Sequence, residues 1–334
     1  MSVSESFPNA SAVAETTLGT PRRPLGPAVL WQHRGLAGKI RWHLNALLTR
    51  RPWILNAFGA TLTIVDIYGY PGDTLLTAIV CRHLRQRYPR LRLNCLTGNT
   101  ELLRYDPNLN TLGQPETFFS VWSWYPDTAR RRDPAANVLE ETFARLGMGR
   151  EKYEYRAKVY LSDEERRWGL ARLAGASKPV LTFHIRTREP TKDWPVDRWR
   201  SALGELRERW HVVHLGDGRE PVIDGVTRLA GQLTLRESLS VLAHARVHVG
   251  ADSFLMHAAN GLDVPSVIIG GGSRTAANVG YSSNANLYVD MACGPCWILA
   301  ADGGACAHDL ACMNEIRAVD VVSAVEQLGG RSTG

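Results

Sequence analysis

Several things are missing from this 334-residue chain, and each absence narrows what it can be. No apolar run approaches the roughly 18 residues that a membrane-spanning helix needs. The first 28 residues lack the charged-then-apolar plan of a secretory leader, so residence in the cytoplasm is the expectation. No repeat with a period of 20–50 residues is visible, which argues against a solenoid or propeller. No G-x-G-x-x-G follows the first strand-like run ending at Ile67, which argues against a dinucleotide oxidoreductase. Acidic residues are almost missing from the N-terminal part. Residues 1–65 hold Arg22, Arg23, Arg34, Lys39, Arg41, Arg50 and Arg51 against only Glu5 and Glu15, hence five of the six net positive charges. The remaining 269 residues are close to neutral. A nucleic-acid-binding domain would carry a basic face on its folded body as well, so no nucleic-acid partner is expected. Weak attraction of residues 22–51 to an anionic membrane or acceptor fits the charge better, beside the plainer reading of a solvated basic helix.

What is present describes an ordinary globular protein, 44% hydrophobic and 22% charged, long enough for two domains. Residues 1–28, rich in Ser, Thr, Ala, Pro and Gly, read as a disordered tail. Residues 29–60 read as a basic helical extension, with Leu36, Ile40, Leu44, Leu47 and Leu48 at helical spacing. Packing onto the body is favoured there over membrane contact. The run Thr61–Ile67 predicts a buried strand, residues 68–73 a turn, Thr74–Tyr88 a helix and Leu91–Thr97 a second strand. That order is a βαβ unit and therefore a parallel sheet, placed here in a first domain over 61–165. The Trp-, Tyr- and Pro-rich stretch 106–160 resists assignment. Residues 161–178 predict an N-capped helix and a polar linker. A second α/β unit over 175–330 follows, with strands at 179–184, 211–215, 247–249 and 264–269 and helices at 196–210, 235–245 and 253–262. The fold class is α/β, two Rossmann-like halves.

The strongest local pattern runs from Val247 to Ile269, a strand ending at Gly250, then Asp252-Ser253-Phe254-Leu255-Met256-His257, a helix and another strand. A helix start at the carboxyl end of a parallel strand offers free N–H groups and a positive dipole end to an anion. Taken alone, Asp252 is an ordinary helix cap and His257 a packed polar residue. Asp73 likewise reads first as the cap of the helix after it.

The segment resembles the D-T/S-G-x-x-H-x-A-x-A-L-x-x-P signature of the family-9 glycosyltransferases, which include the ADP-heptose:lipopolysaccharide heptosyltransferases. Gly72-Asp73-Thr74-Leu75-Leu76-Thr77 is similar to their G-D-x-L-x-T element, Arg85-Gln86-Arg87-Tyr88-Pro89 to their K-x-x-Y-P, and Thr191-Lys192-Asp193-Trp194-Pro195 with Trp199 to their K-x-W-P-x-x-x-W. The match runs with gaps from about residue 61 to 328. It implies a GT-B fold whose two Rossmann-like domains face each other across a cleft, with the acceptor on the first and the nucleotide-sugar on the second. It implies Asp73 as general base, Lys192 and Thr187 on the donor phosphates, and Asp252, Ser253, Phe254 and His257 around the donor. Glu220, in the loop after a strand, is a candidate for the ribose hydroxyls, as acidic residues are in other α/β nucleotide sites, beside the plainer reading of a surface loop without a role. The resemblance also implies an inverting transfer from a nucleotide-heptose, ADP-linked, to a hydroxyl acceptor such as lipopolysaccharide core, a small molecule or a protein. A catalytically silent nucleotide-sugar-binding protein is the other class that fits. The family needs no divalent metal for the transfer. Phe254 departs from the family, which places Gly there so that backbone can approach the pyrophosphate; the Gly270-Gly271-Gly272-Ser273 loop is the nearest substitute.

Six cysteines complete the inventory. Cys293, Cys296, Cys306 and Cys312 have a spacing that suits four thiolates around one ion, a structural zinc or iron, with free thiols or a disulfide as the alternative. Cys81 and Cys95 fall on apolar positions and read as core.

Overall fold

The computed structural model describes residues 36–298 and 305–330; the tail expected to be disordered, 1–28, lies outside them. Before the first sheet stand helices α1 (Leu36–Thr49) and α2 (Pro52–Ala57). Strand β1 (Thr61–Asp66) is buried on both faces from Leu62 onward, as its run of β-branched and apolar residues requires. It lies between β2 (Arg92–Leu96) and β4 (Phe119–Ser123), with the two-residue β3 (Thr111–Leu112) beyond β2. All pairs are parallel, in the order β3-β2-β1-β4. Helix α3 (Pro71–Arg87) crosses from β1 to β2. The stretch that resisted assignment supplies β4 and two short helices, α4 (Pro126–Arg131) and α5 (Glu140–Arg145). Its aromatic residues mask the alternation of a strand, and β4 is held by pairing with β1 more than by its own pattern.

The second sheet is built from β5 (Val180–Phe183), β6 (His211–His214), β7 (Thr227–Arg228), β8 (Val247–Ala251), β9 (Ser266–Gly271) and β10 (Ala285–Tyr288). It too is wholly parallel, in the order β10-β9-β8-β5-β6-β7. Helices α7 (Val196–Leu206), α8 (Leu235–Leu242), α9 (Phe254–Gly261), α10 (Ala276–Val279), α11 (Ala311–Glu315) and α12 (Ala318–Gly329) surround it. In each sheet the winding direction reverses once, between β1 and β4 in the first and between β5 and β8 in the second. Connections leave opposite faces at such a point, so a crevice opens at the carboxyl ends of those strands.

Two features place the units. Helix α1 lies along the outer edge of β4, where the Asn45 side chain donates to Ser120 O (3.0 Å) and accepts from Ser120 N (3.0 Å). An asparagine side chain thus occupies the hydrogen-bonding edge that another strand would otherwise seek. The helix packs on the body as expected, yet Ile40, Leu44 and Leu47 on its outer face stay exposed, as do Trp53 and Phe58. Between the units, α6 (Asp163–Ala171) opens with a capping box of Ser162 and Glu165, as the sequence predicts. Its packing partner is α8, where the buried Arg236 side chain grips Glu165 and also donates to Tyr160 O (2.9 Å) and to Glu101 O of the first unit (3.3 Å). The closeness of the two helices rests on Gly169, since a Cβ there would lie 2.0 Å from Ser240 O. Gly169→Ala forces α6 off α8, and we expect a loss of about 1–3 kcal/mol in urea denaturation, with spectra at zero denaturant unchanged.

Candidate active site

The crevice of the first sheet is lined from β1 and β4. Asp66 ends β1, and its Oδ2 accepts from Thr74 Oγ1 (2.6 Å) and Thr97 Oγ1 (2.9 Å), while Oδ1 accepts from Gly69 N (3.0 Å). Those bonds fix the turn that starts α3. The helix begins at Pro71, three residues before the position expected from sequence, because proline at its first position presets the backbone. Asp73 is therefore inside the first turn, with Tyr70 as the N-cap residue, and the capping role open to it in sequence is not realised. Its carboxylate is buried, and the Tyr125 hydroxyl, just after β4, donates to Oδ1 (2.9 Å). Tyr125 is in turn stacked on Tyr68, with ring centroids 4.5 Å apart. Burial and the neighbouring Asp66 carboxylate push Asp73 up to about 7, against the opposing pull of the Tyr125 hydroxyl, Arg274 and Lys192. A carboxylate that exchanges its proton near neutrality suits proton abstraction.

The crevice of the second sheet faces it. A 3-10 turn, Pro190–Lys192, carries Lys192, whose Nζ donates to Asp252 Oδ2 (2.7 Å) and Asp252 O (3.0 Å). Arg274, from the loop after β9, donates to the same Oδ2 (3.3 Å). All three side chains are buried. The two cations hold Asp252 well below the usual carboxylate range against a large desolvation cost, and burial together with Arg274 lowers Lys192. Asp252 is not a helix cap: Ser253 precedes α9, and its side chain makes no capping bond. The Ser253 hydroxyl lies 2.7 Å from His184 Nε2, and His184 Nδ1 lies 3.1 Å from His248 Nε2. His257 sits 2.7 Å through Nδ1 from the Tyr281 hydroxyl and is pushed down to about 4, mainly by burial.

The two crevices meet directly. A Cβ on Gly72 would lie 3.2 Å from His257 Cδ2 and 3.7 Å from Phe254 Cα, so the start of α3 abuts the start of α9. Asp73, Asp252, Ser253, Phe254, His257 and Lys192 are therefore brought together. Two other sequence-picked residues are engaged within the chain. Both oxygens of Glu220 are used within the chain, accepting from Ile185 N (2.6 Å) and Asp217 N (3.1 Å), with His214 Nε2 at 3.0 Å. The Thr187 hydroxyl exchanges hydrogen bonds with Glu189 of its own loop. Sequence reasoning missed Tyr125, Asp66 and Arg274. Arg274 had a signal, a lone cation directly after a glycine-rich loop at a strand end; Tyr125 lay in the unassigned stretch and had none.

The cysteine cluster does not fit a metal as placed. Among the described residues no group of three or more His, Cys, Asp or Glu is gathered to hold an ion. Cys296 is tied by its N–H to Gly272 O (3.4 Å), Cys306 Sγ accepts from His308 N (3.4 Å), and Cys312 packs on the Gly271-Gly272 backbone. Cys296 and Cys312 thus meet at the Gly272 backbone, and the Cys312 thiol is pushed up by burial and by the neighbouring Cys296 and Cys306. The expected zinc or iron at Cys293, Cys296, Cys306 and Cys312 thus has no gathered ligand set among the described residues.

Two parallel Rossmann-type sheets with facing crevices, one presenting a buried carboxylate and the other paired cations, define the GT-B class of two-domain proteins. The chain belongs to glycosyltransferase family 9 (heptosyltransferase), whose family model matches residues 131–297. It is 32% identical over 133 residues to lipopolysaccharide heptosyltransferase 1 of Pseudomonas aeruginosa, a match that spans 37% of this chain and 38% of that protein. Its fold is similar to that of the iron-containing dodecameric glycosyltransferase TibC of enterotoxigenic E. coli (TM-score 0.64, 18% identity, 80% of this chain and 75% of that one). It is similar also to E. coli ADP-heptose lipopolysaccharide heptosyltransferase II (TM-score 0.60, 16% identity, 80% and 98%). Among the described residues no helix is long and apolar enough to cross a membrane.

The raised Asp73 has a consequence for stability. Between the ordinary carboxyl value of about 4 and its own value of about 7, the folded chain holds a proton that the unfolded chain has released, so stability falls as pH rises through that window. Asp73→Asn, which does not titrate, should match the parent near pH 4 and exceed it by roughly 2–4 kcal/mol at pH 8. Urea denaturation at the two pH values reads this directly; an equal offset at both would contradict it.

Proposed function

We propose that this chain transfers a heptose from an ADP-linked donor to a hydroxyl acceptor with inversion, Asp73 acting as general base. The observation that carries the reading is the meeting of a near-neutral buried carboxylate with two buried cations across the junction of two crevices. Family membership and the ADP-heptose donor in the name of heptosyltransferase II support the choice of donor. Lipopolysaccharide core is the favoured acceptor on the same grounds. In the step, the acceptor hydroxyl gives its proton to the Asp73 carboxylate while its oxygen bonds the anomeric carbon from the face opposite the phosphate. The bond from that carbon to the β-phosphate oxygen breaks, and the electron pair leaves on ADP. Lys192, Arg274 and the first N–H groups of α9 meet the growing charge on the diphosphate. With two protein cations in that place the transfer needs no divalent metal.

Asp73→Asn should lower kcat by about 100-fold or more and leave ADP affinity within about twofold. In the parent, kcat/KM should fall about tenfold per pH unit below about 7, where Asp73 takes up its proton, and turnover should persist in excess EDTA. Unchanged turnover in Asp73→Asn would remove the base from the mechanism, and failure to bind ADP would remove the function.

The acceptor side carries a second part of the reading. The outward apolar residues of α1 and α2, among them Trp53 at 60% exposure, and Phe58 just after α2 at 83%, share with Arg41, Arg50 and Arg51 a segment, 36–65, that holds no acidic residue. This pattern suits shallow contact with an anionic bilayer that presents a lipid-linked acceptor. The chain should sediment with phosphatidylglycerol vesicles at low salt and be released by high salt, and replacing Trp53 and Phe58 with Ser should abolish binding; equal binding to neutral vesicles would contradict the electrostatic part.

A further inference from the structure

One aromatic residue at the junction of the two units has no assigned role. Trp297 lies in the segment between β10 and α11, and three contacts tie that segment to the donor side of the cleft. Cys296 N donates to Gly272 O (3.4 Å), Trp297 N donates to Ser273 O (3.1 Å), and the hydroxyl of Thr191, next to Lys192, donates to Ile298 O (3.4 Å). The residue adopts a left-handed backbone with φ of 50°, uncommon for a bulky side chain and costly unless its surroundings enforce it. The indole lies at the cleft. The Arg274 guanidinium lies over one face, 4.6 Å from the ring centroid, and Tyr125 of the first unit, the residue that holds Asp73, is 6.4 Å away centroid to centroid. Trp297 therefore stands between a cation of the donor site and the partner of the base, where the group in transfer must pass.

The ring is only 6% exposed, and its Nε1–H is buried with no hydrogen-bond partner among the described residues. Leaving a buried donor unpaired costs about 1–3 kcal/mol, so such a group in a folded protein points to a partner it meets at another stage. Asp73, Lys192, Asp252 and Arg274 are buried at the same junction, so a donor that reaches the cations also reaches the indole.

We propose that Trp297 reads the transferred sugar, with the indole face, backed by Arg274, forming a wall of the sugar pocket and the free N–H donating to a sugar hydroxyl. It is a specificity-determining residue for the glycosyl group and makes no contact with the nucleotide. An indole suits this task, since an apolar face packs on the C–H side of a sugar ring while the edge offers one fixed donor. The inference rests on the donor reading above, and its test separates the two.

Binding of ADP and of ADP-heptose is measured by calorimetry on the full chain, on Trp297→Phe, and on protein in which the indole is replaced by the isosteric benzothiophene, which lacks the N–H and keeps the shape. The expected result is unchanged ADP affinity with ADP-heptose affinity reduced about three- to tenfold in both variants, the value of one neutral hydrogen bond. ADP binding by each variant also shows that it is folded, and the benzothiophene form decides the matter where Phe perturbs the segment. Equal affinities for ADP-heptose in parent and benzothiophene forms, or an equal loss for ADP and ADP-heptose, overturns the role of Trp297 and leaves the donor reading standing. A parent that binds ADP but not ADP-heptose also overturns it, and a parent that binds neither removes both.

Discussion

The charge cluster of Lys192, Asp252 and Arg274 is the constraint around which the cleft is organised. Three ionised side chains are taken out of water at the start of α9, and each would be prohibitively expensive alone. Together they leave a net positive charge, one carboxylate shared by two cations, so Asp252 holds the two in place without neutralising them. Keeping that arrangement requires the elements that carry it to be fixed. The 3-10 turn bearing Lys192 is fastened to the Trp297 segment, and the loop bearing Arg274 is fastened to the first unit. Thr275 Oγ1 donates to Pro134 O (2.6 Å), and the buried Asn278 side chain donates to Ala136 O (2.7 Å) and Asp133 O (2.9 Å).

These ties make the two units depend on each other. The first unit supplies the Asp73 carboxylate and the aromatic pair beside it, and the second supplies the cations that partly offset the desolvation of that carboxylate. The same junction shows how one side-chain type is put to two uses. Asp73 and Asp252 are both buried carboxylates, yet one faces a tyrosine and another acid and is driven towards its neutral form. The other faces two cations and stays ionised under all ordinary conditions. Environments that drive like groups apart in this way separate proton transfer from charge placement.

Much of the site was legible because its chemistry is carried by short runs next to strands. Gly72-Asp73, Lys192 and Asp252–His257 each follow a strand with clear β-branched patterning, and parallel-sheet topology sends such ends to one crevice. The illegible parts are those whose meaning is a partner far away in sequence. Tyr125 is one aromatic among many until β4 pairs with β1 and sets it over Asp73. Arg274 and Trp297 are 23 residues apart and form a unit only through the loop contacts of Gly272 and Ser273. Glu220 had the composition of a ribose ligand, and the fold spends both its oxygens on the backbone of its own loop and on His214.

Two parallel α/β units, six of their ten strands and the residues at the carboxyl ends of those six were legible in the sequence, since hydrophobic period and turn chemistry are local properties; β3, β4, β7 and β10 were not. The sequence by itself also determined the basic, acid-free character of the N-terminal extension. Tertiary structure decided how those pieces act. It moved the start of α3 so that Asp73 lies inside a helix turn, gave Asp252 two cations in place of a capping role, and laid α1 along the β4 edge. It also brought Cys296 and Cys312 to the Gly272 backbone. All of these depend on burial and on distances across the chain, and no local pattern encodes them.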